Sequence, residues 1–70
     1  MLRQRIWRMR KLHQSIDAEI HEAIDGSVEV HYRLNGEFTY ARRCPNRQLA
    51  LAEAAVKRAE LERDGWAFHW

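Results

Sequence analysis

The sequence predicts an α+β fold in the order α-β-β-α, an antiparallel hairpin packed by two helices, with a short third strand at the C-terminus. Three observations carry this expectation. Apolar residues recur at alternating steps of four and three over the first third of the chain; the period then drops to two on either side of Asn35-Gly36; and an Ala-rich stretch follows Pro45 and runs to Gly65. The chain has 70 residues, the length of one domain spanning 1–70, and at that size only about 60% of the unfolded surface can be buried. Such a core is thin, so oligomerisation or partner binding is expected to supplement it.

The first element is a helix over about 2–25, on a stripe of Leu2, Ile6, Met9, His13, Ile16, Ile20 and Ala23 stopped by Asp25-Gly26. Its length, roughly 35 Å, exceeds the breadth of a 70-residue body. Arginines occupy its first turns and Asp17, Glu19, Glu22 and Asp25 its later ones, so an antiparallel copy would set basic ends against acidic ends. The helix therefore either pairs a homodimer or packs on its own sheet.

Strands are expected over about 28–34 and 37–43. A three-residue loop, Leu34-Asn35-Gly36, would gather Val28, Val30, Tyr32, Phe38 and Tyr40 on one face and leave His31, Arg33, Thr39 and Arg43 on the other. A two-residue loop would instead bring Phe38 and Tyr40 to the face of His31 and Arg33, because one slip of register moves a whole side-chain set across the sheet. Cys44 precedes Pro45 and ends the second strand, and Asn46 caps a helix over about 46–64 whose stripe is Leu49, Ala52, Ala55, Val56 and Ala59. The aromatic tail 66–70 alternates as a third strand, placed by a right-handed crossover beside the first, in the order 2-1-3.

Composition narrows the function classes. One cysteine excludes an internal disulfide, which points to a reducing, cytoplasmic setting. The arginines at 3, 5, 8 and 10 interrupt any signal-peptide core, and no apolar run approaches the ~18 residues of a membrane span, so no integral membrane association is expected. Net charge is only +2, yet five of twelve Lys/Arg fall in the first eleven positions, which suggests an acidic partner at one end.

The candidate binding residues follow from that asymmetry. On the predicted first helix, Trp7 lies away from the apolar stripe among Arg3, Arg8, Arg10 and Lys11, where it would serve as an interface anchor or a stacking platform unless it tucks under a neighbouring loop. His31, Arg33 and Arg43 on the polar strand face, with Trp70 in the tail, form a secondary set. His13, Asp17 and His21 step along the predicted helix at four-residue intervals, but the outer pair would stand about 12 Å apart, too far to share a metal. With no phosphate loop, no isolated carboxylate pair and no base assigned to Cys44, neither catalysis nor a cofactor is expected.

The hairpin followed by a helix resembles the last part of a double-stranded-RNA-binding domain over 28–64. It departs from that family by lacking a third strand before Pro45 and by carrying Asn46-Arg47-Gln48 where the family has lysines. In size and character the chain is similar to small α+β proteins of phages and mobile elements that bind and block host machinery. The function expected is non-enzymatic binding of a macromolecule, a protein first, as an inhibitor or adaptor. Nucleic-acid binding through Arg3, Arg5, Arg8, Arg10 and Lys11 is the alternative.

Overall fold

A computed structural model describes residues 2–68, and in it the first third of the chain is a β-hairpin rather than a helix. The strands are β1 (Leu2–Lys11), β2 (Gln14–Glu22), β3 (Val28–Leu34), β4 (Glu37–Cys44) and β5 (Ala67–Phe68), with one helix, α1 (Arg47–Arg63), between β4 and β5. They form one antiparallel sheet in the order β4-β3-β2-β1-β5. The α-β-β-α arrangement with two helices is thus overturned: the fold is a four-stranded meander, a single helix laid on one face, and a two-residue closing strand.

The reason lies in an ambiguity of the pattern. Steps of four and three also fit two strands that alternate, provided a phase slip occurs in between, and a bulge at Ile6 supplies it: Arg5 faces Glu19, whereas Trp7 faces Ala18. The turn between β1 and β2 is Leu12-His13, with Leu12 in the left-handed region at φ 56°. No glycine, proline or asparagine marks it. Asp25-Gly26, expected to stop a helix, turns β2 into β3. There the Asp25 carboxylate accepts hydrogen bonds from the Ser27 N–H and hydroxyl, and Gly26 takes φ 91°.

The second hairpin turns through two residues, not three. Leu34 faces Glu37, with Asn35 and Gly36 both at positive φ, as a type I′ turn requires. A second bulge, at Thr39, then divides the two aromatics, so that Phe38 faces Arg33 on the side away from the helix while Tyr40 faces Tyr32 on the side beneath it.

The core lies between α1 and the sheet: Trp7 and Met9 from β1, Ala18 and Ile20 from β2, Val28, Val30 and Tyr32 from β3, Cys44, and Ala50, Ala54 and Leu61 from the helix. Asn46 caps α1 as its residue type predicts, accepting from the Leu49 N–H at 2.9 Å. The helix is rotated from the expected stripe, however. Ala50 and Ala54 meet the sheet, and Leu49 and Val56 are exposed at 50% and 58%. Glu53, expected to pair with Lys57, accepts the Tyr32 hydroxyl hydrogen bond at 2.7 Å, and the Lys57 ammonium stands over Tyr32 and Tyr40. β5 pairs antiparallel with β1 and not with β3, the neighbour that the 2-1-3 order gives it, because β1 and β2 add to the sheet between β3 and β5. Among the described residues no helix is long and apolar enough to cross a membrane.

Candidate functional site: the uncovered face of the sheet

α1 covers one face of the sheet, and the other is built from four strands with a regular cross-strand order. Register sets Arg3, His21, Glu29 and Arg43 in one row, Arg5, Glu19, His31 and Ala41 in the next, Arg8, Asp17, Arg33 and Phe38 in a third, and Arg10 beside Ser15 in a fourth. The bulge at Ile6 makes this possible, because without it Arg3 and Arg5 would lie on the opposite side from Arg8 and Arg10. Six arginines stand here against three carboxylates, an excess of three positive charges on one face of a chain whose net charge is +2.

The carboxylates hold the centre of this face together. Asp17, 6% exposed, accepts from Arg8 Nε at 2.6 Å and Nη2 at 3.0 Å, a forked pair. Glu19 accepts from Arg33 at 3.1 Å and bonds His21 at 2.9 Å. Burial alone would raise its pKa, but the His21 and Arg33 hydrogen bonds outweigh that and hold it below the ordinary value. Glu29 bonds His31 at 2.9 Å and Arg43 at 3.5 Å, and its pKa is lowered mainly by the His31 bond. The two imidazoles stack with centroids 3.7 Å apart and planes 9° from parallel, and Phe38, 53% exposed, meets His31 edge-on at 5.3 Å.

The candidate residues sort accordingly. Arg3 and Arg10 are exposed on β1 and form no ion pair among the described residues, while Arg8 is engaged by Asp17. Lys11 lies on the helix side, donating to the Asp64 carbonyl at 2.7 Å, where a cation suits the helix C-terminus. Trp7 is in the core at 3% exposure, its indole N–H donating to the Ala54 carbonyl at 3.1 Å, so it is neither an exposed anchor nor a platform. His31, Arg33 and Arg43, expected as a separate secondary set, share the face of Arg3, Arg8 and Arg10; Trp70 falls outside the described residues. His21 joins this face without having been expected there, and Phe38 joins it as the two-residue alternative for the loop had it. The alternation of Arg3 with Arg5 and of Arg8 with Arg10 was the available signal for the strand.

No metal-ligating geometry accompanies these residues: His13 sits in the β1–β2 turn, and among the described residues no group of three His, Cys, Asp or Glu could hold an ion. Cys44 is buried at the end of β4. Comparison with family models, with curated proteins and with solved structures finds no match.

Proposed function

We propose that this protein is a non-catalytic nucleic-acid-binding protein that holds a single strand of RNA or DNA across the uncovered face of its sheet. The observation that carries this is the alignment of Arg3, Arg5, Arg8 and Arg10 on one side of β1, opposite Arg33 and Arg43 on β3 and β4. From Arg3 to Arg10 the line of cations extends about 23 Å at strand rise, a groove length suited to tracking a phosphate backbone. Phe38 and the His21–His31 stack offer flat surfaces within the same field, and base stacking on such surfaces is tolerant of sequence. Arg8 and Arg33, fixed by Asp17 and Glu19, position the sheet face, whereas Arg3, Arg5, Arg10 and Arg43 meet phosphates at its rim.

Labelled oligonucleotide binding followed by fluorescence anisotropy tests this. With four phosphate contacts, affinity for a single strand falls about fiftyfold between 50 and 200 mM salt. Phe38→Ala weakens binding by about tenfold with the circular dichroism unchanged. A flat salt profile, or no binding of either RNA or DNA, rejects the proposal.

A second proposal, an inhibitor or adaptor that captures a protein, has support from a different surface. Leu49 and Val56, seven residues apart and so on one side of α1, are exposed apolar residues. Val56→Lys would abolish capture of such a partner and leave oligonucleotide binding intact.

A further inference from the structure

We infer that two copies of the chain join edge to edge through β4, in antiparallel register about a two-fold axis at Ala41, to make one sheet of ten strands. β4 is the outer strand of the sheet, is eight residues long and is exposed from Glu37 to Arg43. Alternate residues of an edge strand direct their N–H and C=O groups away from the sheet, a row that pairs readily with another strand. At the other edge β5 pairs with only Met9 and Arg10 of β1, and the remainder of that edge is blunted by the bulge at Ile6 and by the arginines at 3, 5 and 8. β4 contains no proline and no lysine, and its bulge at Thr39 disturbs only the end near the turn.

The side chains choose the occupant. Directly opposed residues in an antiparallel pair share a face. With the axis at Ala41, the smallest side chain of the strand's exposed length meets its own copy. Tyr40, on the helix side, then faces the partner's Arg42 on the same side. Once the extra residue at Thr39 is passed, Phe38 on the uncovered face meets the partner's Arg43, and Glu37 meets the partner's Cys44. Each aromatic is thereby set against a guanidinium, twice over by symmetry, an attraction suited to exposed rings. The alternatives are poorer. An axis at Arg42 opposes two guanidinium groups, and one at Tyr40 shortens the ladder and leaves Arg43 and Cys44 without opposites.

The surroundings admit a second copy. A shallow groove of about 400 Å³ runs along β4 beneath α1, lined by Tyr40, Arg42, Glu53, Val56, Lys57 and Glu60. Its wall carries Glu53 and Glu60 beside Lys57 and Arg42, a balanced set of charges among which Glu60 can meet the partner's Arg42. The two-fold axis is perpendicular to the sheet, so both helices lie on one side and both uncovered faces on the other. The inference does not rest on nucleic-acid binding, and its test uses no ligand.

Sedimentation of the full chain should give twice the 8.4 kDa mass at micromolar concentration. Ala41→Lys, which places two ammonium groups across the axis on an exposed position, should raise the dimer dissociation constant tenfold or more with the circular dichroism unchanged. In a Cys44→Ala background, Ala41→Cys should form an interchain disulfide with oxidised glutathione as oxidant, because residues directly opposed in a hydrogen-bonded pair have Cα atoms about 5.5 Å apart, within disulfide reach. Arg43→Cys in the same background should not. A chain that stays monomeric at high micromolar concentration overturns the inference. So does a dimer unaffected by Ala41→Lys but dissolved by Leu51→Lys, which would assign the contact to a side of α1 away from the β4 groove.

Discussion

The indole of Trp7 occupies the centre of the core, 6.2 Å from the Tyr32 ring and hydrogen-bonded to the helix backbone at Ala54, so one side chain ties β1, β3 and α1 together. Trp7→Ala should destabilise the fold by about 3–5 kcal/mol, the range for removing a large buried aromatic. For a small domain that is a large part of the whole stability. Urea unfolding measures it, and a loss below ~1 kcal/mol would mean that the indole is not buried as described. Tyr32 is bound in the same way. Burial first, and the Glu53 carboxylate second, push its hydroxyl pKa well above the ordinary tyrosine value, so the Tyr32–Glu53 hydrogen bond keeps its proton on the tyrosine throughout the accessible pH range.

At the scale of elements, the β1–β2 hairpin is held by a turn whose residues do not favour it. Leu12 is 88% exposed and sits at φ 56°, a conformation that costs a β-carbon-bearing residue about 1–2 kcal/mol. Leu12→Gly removes that cost, gives up little burial, and loses about 0.5–1 kcal/mol through the freer unfolded chain. The net stabilisation should be about 0.5–1 kcal/mol, read as a rise of a few degrees in melting temperature at about 4–8 °C per kcal/mol; a lower melting temperature would contradict the turn. The same residue explains what the sequence concealed. Asn35-Gly36 announces its hairpin and Asn46 its helix because each residue type has a local reason to be there, whereas Leu12-His13 has none. With that turn silent, the bulge at Ile6 let two strands imitate a helical stripe. The site was divided for the same reason. Arg3, Arg8 and Arg10 were legible as a basic cluster and His31, Arg33 and Arg43 as a polar strand face, but only β1 lying in the sheet joins them. The bulge at Thr39 likewise placed Phe38 and Tyr40 on opposite faces, which neither loop length alone foretells.

Across the whole molecule, the ion pairs of the uncovered face couple stability to pH with a definite sign. Glu19, bonded to His21 and Arg33, and Glu29, bonded to His31 and Arg43, both have pKa values below their ordinary 4.5, and Asp25 lies below 3.8 through its hydrogen bonds from Ser27. A carboxylate with a depressed folded pKa binds protons less readily folded than unfolded. Its contribution is therefore complete above the unfolded value and is lost as pH falls through the folded one. The urea midpoint should accordingly receive no change from these groups between pH 6 and 5, then decline below about 4.5. A Glu19→Gln, Glu29→Gln double variant should start from a lower midpoint at pH 6 and converge on the parent as acid is added; parallel acid limbs would show that these pairs do not carry the effect. Added salt should narrow the part of the difference that belongs to Glu29 and the exposed Arg43, because an exposed pair is screened more than the part-buried pairs of Glu19. The same protonation removes negative charge from a face already three charges positive. Oligonucleotide affinity should therefore rise over the acid range in which stability declines, until unfolding intervenes, and a single titration read by anisotropy and by circular dichroism would show the two trends moving in opposite directions.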